Sequence, residues 1–213
     1  MERILGVILA GGNSRRFGTD KAFASLGGRT LIARTIARAR PQVDHVVLAV
    51  GRDPKPYAGL DHELILDAGD GADPVQQGPL AGILAGLTYG ETRGFAHVVS
   101  YACDTPFFPP NLVSTLVTSV PGSQTDCVVA MHNGEPHRIF CLWRVACRAR
   151  LETAFAGGLR KMEHVAEALA LAHAEFRSSD EAPFGDPFFN INSPEDLGKA
   201  EHYLNNASAL FKV

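Results

Sequence analysis

Three cations and one carboxylate stand where this chain could hold and activate a phosphate. Arg15, Arg16 and Lys21 lie in or beside a glycine-rich turn, LAGGNSRRFGTDKA, that runs from Leu9 to Ala22. Gly11, Gly12 and Gly18 let the backbone turn sharply and approach a ligand with no Cβ in the way. Backbone N–H groups in such a turn form an anion-binding concavity, and fixed cations deepen it. The ligand this implies is a polyphosphate. Neither of the two commonest phosphate loops fits. A P-loop needs G-x-x-x-x-G-K-[ST], and here Thr19 and Asp20 separate Gly18 from Lys21. A dinucleotide loop opens directly into a helix. This one runs on to Gly27 and Gly28, and helical periodicity begins near Thr30. The carboxylate is Asp104, which ends the apolar run HVVSYAC and precedes Thr105 and Pro106. Beside a phosphate loop it can hold Mg²⁺, which favours one or two carboxylates completed by phosphate oxygens and water. The same aspartate could also serve only to shape its turn.

Three further stretches carry polar or bare positions. GPLAGILAGL, from Gly78 to Leu87, reads as a loop entering a helix, with Pro79 in its first turn. Leu80, Ile83, Leu84 and Leu87 make one apolar face, while Gly82 and Gly86 leave backbone bare on another. Gly82 can clear room for a flat base, and Gly86 reads as close packing of helix on sheet. In FFNINSPEDL, the Ser193-Pro194-Glu195-Asp196 stretch is a helix start. Asn190 and Asn192 precede it in extended chain and share a side. Their amides offer donors and acceptors to a phosphate, a pterin or metal-bound water, or else form turns. Asp67 closes the run ELILD and by itself is an ordinary loop aspartate.

The elements that must position these residues alternate. Strands are expected at Ile4–Ala10, His45–Val50, Glu63–Leu66, His97–Ala102, Cys127–Met131, Arg138–Trp143 and Leu171–Phe176. Helices are expected at Thr30–Arg40, Pro79–Tyr89, Pro110–Ser119, Ala146–Ala156, Arg160–Ala170 and Pro194–Asn205. This pattern predicts an α/β fold: a Rossmann-like, doubly wound, mostly parallel sheet in one domain spanning residues 1–213. NGEP between two successive strands predicts one antiparallel pairing, and hence a mixed sheet. Arg52 to Gln77 is rich in Gly, Asp and Pro and reads as a loop over one sheet edge. Open sheets of this kind bind ligands at the carboxyl ends of their strands.

Composition limits the partners. A chain of 213 residues, 46% hydrophobic and 20% charged, has enough apolar material for a substantial core. A net charge of −3 argues against general nucleic-acid binding but not against one nucleotide. The four cysteines show no C-x-x-C pair, which disfavours a zinc site and suits reduced, buried thiols of a cytoplasmic protein. No run is long enough to span a membrane, and the first apolar run lacks the flanks of a signal peptide.

On the loop L-A-G-G-x-S-x-R-[apolar]-G-x-D-K-A, together with GPLAGI and NINSPEDL, the chain resembles the molybdenum cofactor guanylyltransferase family. The resemblance spans residue 3 to about residue 204. It implies a fold similar to that of the nucleotide-diphospho-sugar transferases. The implied reaction is transfer of GMP from GTP to the terminal phosphate of molybdopterin, with release of pyrophosphate and with Mg²⁺, or Mn²⁺, as cofactor. It assigns catalysis to Arg15, Lys21 and Asp104, the last as metal ligand. It assigns nucleotide binding to Leu9, Ala10, Gly11, Gly12, Lys21, Asp67, Gly78, Pro79, Leu80, Gly82 and Asp104. His137, Asn190 and Asn192 would face molybdopterin. Partners implied are a molybdenum-insertion protein and acceptor molybdoenzymes or their chaperones. Three positions depart from the family pattern: Phe17 replaces methionine, Arg138 replaces the proline after His137, and Ala49 replaces an asparagine near the base or ribose. The nearest alternative is the sister cytidylyltransferase, whose loop reads L-A-A-G. An added methyl there favours the smaller pyrimidine, so Gly11-Gly12 points to guanine. A sugar-phosphate nucleotidyltransferase and a non-catalytic nucleotide-binding regulator are the further alternatives.

Overall fold

Unbroken aliphatic runs such as ILGVIL and HVVLAV belong in strands covered on both faces, and that is where they lie. The structure, a computed structural model, describes residues 2–10, 20–51, 53–68 and 78–210. The chain runs through β1 (Ile4–Leu9), the short strands β2 (Ser25–Leu26) and β3 (Arg29–Thr30), α1 (Leu31–Ala39), β4 (His45–Val50) and β5 (Glu63–Leu66). It continues through α2 (Gly78–Thr92), β6 (His97–Ala102), α3 (Leu112–Thr118), β7 (Cys127–His132) and β8 (Glu135–Arg144). Then follow α4 (Arg148–Ala156), β9 (Leu171–Phe176) and α5 (Pro194–Leu210). The main sheet has seven strands in the order β5-β4-β1-β6-β8-β7-β9.

β1 pairs in parallel with β4 and with β6, and β4 with β5, so these four strands end at one edge. β8 is antiparallel to both β6 and β7, which makes two antiparallel pairings where one was expected. The cause is local. Asn133 and Gly134 adopt positive φ, 51° and 80°, as a two-residue hairpin turn requires. The hairpin folds β8 back into the slot between β7 and β6.

The residues of β1 alternate between two cores. Ile8 packs with Ile32, Ile36, Leu48, Phe108 and Leu112, on the side of α1 and α3. Leu5 and Val7 pack with Leu80, Ile83, Leu87, Trp143 and Leu151, on the side of α2 and α4. Each such side chain contributes about 1.5–3 kcal/mol on burial. The two layers therefore carry the fold and leave the carboxyl rim to polar groups. All four cysteines are free and buried.

One expected helix is absent. Arg160–Ala170 holds a 3-10 segment, Met162–Glu167, in place of an α-helix. Its buried Met162, Val165 and Leu169 are spaced three and four apart, which suits either geometry. Arg160 Nη1 also turns back onto the carbonyls of Phe155 and Leu159, holding the segment in a turn. The hairpin of β2 and β3 was not anticipated. Gly27 and Gly28, at φ 54° and 73°, form its turn.

Candidate active site

The central contact joins three segments far apart in sequence. Lys21 Nζ donates to Asp104 Oδ2 at 2.6 Å and to Asn192 Oδ1 at 3.0 Å. Each partner is placed by local chemistry. Asp20 caps a 3-10 turn, Lys21–Phe23, by accepting from the Ala22 N–H at 3.1 Å. Asp104 follows the end of β6, and its own carbonyl accepts from the Ile191 N–H at 2.8 Å. That bond fixes the NINS segment to the rim. Ile191 is fully buried with Leu26, Leu31, Phe107 and Ala200, so the flanking Asn190 and Asn192 are turned outward and are exposed. The Asn192 N–H in turn donates to Asp196 Oδ2 at 3.1 Å, at the start of α5. The Lys21 and Asp104 side chains are 14% and 21% exposed, so the pair is partly shielded yet open to a ligand.

At the same edge β1, β4, the end of β5 and α2 pack together. A Cβ built on Gly82 would stand 2.8 Å from Leu9 Cδ2, 3.1 Å from Asp67 Oδ1 and 3.2 Å from the Ala49 Cβ. Gly82 is thus buried against these three residues. A Cβ on Gly86 would stand 2.5 Å from Val7 Cγ2, inside the core. Each glycine therefore lets α2 pack closely on its neighbours, the reading made from sequence for Gly86 alone. The Asp67 N–H donates to the Val50 carbonyl and the Ala68 N–H to that of Ala81, which ties the end of β5 to β4 and to α2. Burial pushes the Asp67 carboxyl up to about 6. Among the described residues its side chain has no hydrogen-bond partner.

Gly78 has a φ of +60°, and a Cβ there would stand 2.9 Å from the Arg160 carbonyl oxygen. Glycine is required on both counts. Pro79 follows it in the first turn of α2. Leu80 lies wholly within the core, so a ligand could meet only its backbone. Ala10 ends β1, its N–H donating to the Ala49 carbonyl at 2.9 Å. Ala49 is buried, with its methyl group facing Gly82.

His137 belongs to an aromatic cluster. Its ring stacks on Phe188 at 4.2 Å and 19°, and Phe188 packs on Phe140 and Phe176. Desolvation lowers the His137 pKa, so the imidazole is neutral at pH 7. Phe188 stands two residues before Asn190, which links His137 to the rim through the chain. The expectations placed on Gly11, Gly12, Arg15, Arg16, Phe17 and Gly18 lie outside the described residues. Sequence reasoning passed over Asp20, Tyr57 and the Arg160 carbonyl. An aspartate before a short turn is a recognisable cap. The other two reach the rim only through long-range packing.

Among the described residues no group of three or more His, Cys, Asp and Glu side chains could hold a metal. Asp104 alone suits Mg²⁺, whose remaining ligands are commonly water and substrate phosphate. The arrangement therefore offers a cation, a hard oxygen ligand and the Asn192 side-chain amide to a phosphate.

Comparison with known proteins agrees with that geometry. The family described as MobA-like NTP transferase domain matches residues 6–174. A molybdenum cofactor guanylyltransferase of Rhizobium meliloti (strain 1021) is 40% identical over 203 residues, covering 93% of this chain and 90% of its own. The enzyme of the same name from Rhodobacter capsulatus is 39% identical over 205 residues, covering 95% and 97%. Among solved structures, molybdopterin-guanine dinucleotide biosynthesis protein A from Archaeoglobus fulgidus superposes with a TM-score of 0.73. It is 27% identical, with 95% of this chain and 99% of that one covered.

Proposed function

The chain belongs to the MobA-like NTP transferase family and is a nucleotidyltransferase; from that premise we propose that it transfers GMP from GTP to the terminal phosphate of molybdopterin. The product is molybdopterin guanine dinucleotide, and pyrophosphate leaves. The observation that carries the reading is the meeting of Lys21, Asp104 and Asn192 at the carboxyl edge of the sheet, in a chain whose relatives are named guanylyltransferases.

The chemistry asks little of a general base. A phosphate monoester has a second pKa near 6, so the attacking group is largely dianionic at neutral pH. One of its oxygens bonds to the α-phosphorus of GTP while the bond from that phosphorus to the β-bridging oxygen breaks. What remains is neutralisation and in-line placement. Lys21 stabilises charge on the phosphates and on the leaving pyrophosphate, and Arg15 assists it. Gly11, Gly12, Leu9 and Ala10 hold the nucleotide through backbone. Gly78, Pro79, Leu80 and Gly82 border the base. Asn190, Asn192 and His137 face molybdopterin. Asp104 would hold Mg²⁺ or Mn²⁺, which supplies charge neutralisation at the phosphates. One domain does this work, in the cytoplasm. The protein would take its substrate from a molybdenum-insertion protein and pass its product to molybdoenzymes or their chaperones. Among the described residues no helix is long and apolar enough to cross a membrane.

Asp67 supplies the base preference. An ionised carboxylate only accepts hydrogen bonds, and guanine presents two adjacent donors, N1–H and the 2-amino group. Because burial raises the Asp67 pKa to about 6, below that pH guanine must displace the Asp67 proton before its donors can be accepted. GTP binding should therefore tighten as pH rises through about 6. Free-protein stability runs the other way. The unfolded chain releases this proton near pH 4 and the folded chain at about 6. The folded state thus holds more protons in that window, and Asp67 destabilises it as pH rises through the window. Asp67→Asn should be the more stable protein at pH 8 and should lose preference for GTP. Calorimetry with GTP, CTP and ATP at pH 5 and pH 8 tests both. CTP binding as strong as GTP binding would overturn the guanine assignment.

A further inference from the structure

Tyr57 has no part in the scheme above, yet its hydroxyl bridges two pieces of it. The residue lies in a 3-10 turn, Lys55–Tyr57, and is 3% exposed. Its oxygen stands 2.6 Å from the carbonyl oxygen of Ala10 and 2.5 Å from Asp20 Oδ2. A phenol has one proton to donate, so the two acceptors share it. The first acceptor belongs to the end of β1, whose next bond is from the Ala10 N–H to the Ala49 carbonyl. The second is the cap of the turn that carries Lys21. The Phe23 ring, in the same turn, lies 5.2 Å from the Tyr57 ring. Burial, and then the bond to Asp20, raise the pKa of the phenol, which keeps its proton throughout any working range. Contacts thus run without a gap from Ala10 through Tyr57, Asp20 and Lys21 to Asp104.

We propose that Tyr57 is a positioning residue for phosphoryl transfer. Through Asp20 it fixes the Lys21 turn against the end of β1, so that the ammonium meets Asp104. The idea rests on the catalytic role proposed for Lys21. The ring and the hydroxyl do separable work. The ring fills the core beside Phe23, and the hydroxyl alone makes the link.

Tyr57→Phe keeps the ring and removes the link. It is expected to lower kcat by about tenfold while the KM for GTP stays within about twofold, since small misplacements of a catalytic group are expensive. In a Lys21→Ala background the same replacement should leave kcat nearly unchanged, because residues acting through one another are not additive. An equal loss in both backgrounds, or no loss in the first, overturns the proposal. If Tyr57→Phe does not fold, Asp20→Ala severs the link from the other side and must give the same pattern. Hydrogen exchange provides a readout independent of activity. The Phe23 and Ala24 amides, bonded to the Asp20 and Lys21 carbonyls, should exchange faster in Tyr57→Phe while those of α1 do not. Unchanged protection overturns the link even if the protein proves to have another activity. Normal protection changes in a protein with no GTP-dependent pyrophosphate release would count against the proposed reaction and not against the link.

Discussion

Replacing Asp104 with Asn is expected to lower turnover about a hundredfold or more, the usual scale for losing one positioned electrostatic group. Asparagine keeps the size of the side chain but not its charge. It can no longer balance the Lys21 ammonium at 2.6 Å, and it is a poor ligand for Mg²⁺. The fold should survive. The carbonyl of residue 104, which accepts from the Ile191 N–H, does not depend on the side chain. The ion pair itself is partly open to solvent, and pairs of that kind contribute on the order of 1 kcal/mol or less. A domain stable by about 5–15 kcal/mol tolerates that loss. The check is steady-state kinetics over a Mg²⁺ titration, alongside thermal unfolding. Near-normal turnover at saturating Mg²⁺ would reduce Asp104 to a residue that shapes the turn before Pro106.

Lys21→Ala is expected to act on kcat more than on KM. The ammonium is already held by two protein oxygens, so it is placed before substrate arrives and needs little reorganisation to meet charge that develops on the phosphates. A group that stabilises the transition state more than the ground state affects the rate in this way. Arginine in its place should rescue only in part, because a planar fork cannot sit where a point ammonium meets Asp104 and Asn192 together. Kinetics within twofold of the unsubstituted protein would show Lys21 to be a bystander and would move the work to Arg15 and the metal.

Much of the frame was legible because it depends on local pattern. Unbroken aliphatic runs gave the strands of β1, β4 and β6, and the apolar face of Leu80, Ile83, Leu84 and Leu87 gave α2. Packing at Gly86 was legible; that Gly82, one turn away on the same face, is packed just as closely against Leu9, Asp67 and Ala49 was not. Other features depend on contacts that no local pattern encodes. The apolar spacing of Met162, Val165 and Leu169 reads as an α-helix, whereas the segment Met162–Glu167 is 3-10, a choice that spacing alone does not encode. NGEP announced a hairpin, but not that β8 would enter between β7 and β6 and pair with both. Tyr57 sits in a stretch that reads as a surface excursion by composition, yet it is buried against the catalytic turn. At the site, two motifs at one sheet edge implied that Lys21 and Asp104 serve one ligand, but not that they pair directly with each other. The stacking of His137 on Phe188 was not legible either.

The central claim is guanylyl transfer, and pyrophosphate release measures it most directly. The protein is incubated with GTP, CTP or ATP and Mg²⁺, each with and without molybdopterin. Release is expected with GTP and molybdopterin together, to be much slower with CTP or ATP, and to fall to background when molybdopterin is omitted. Release with CTP equal to or faster than with GTP would contradict the account, as would release from GTP that does not depend on molybdopterin.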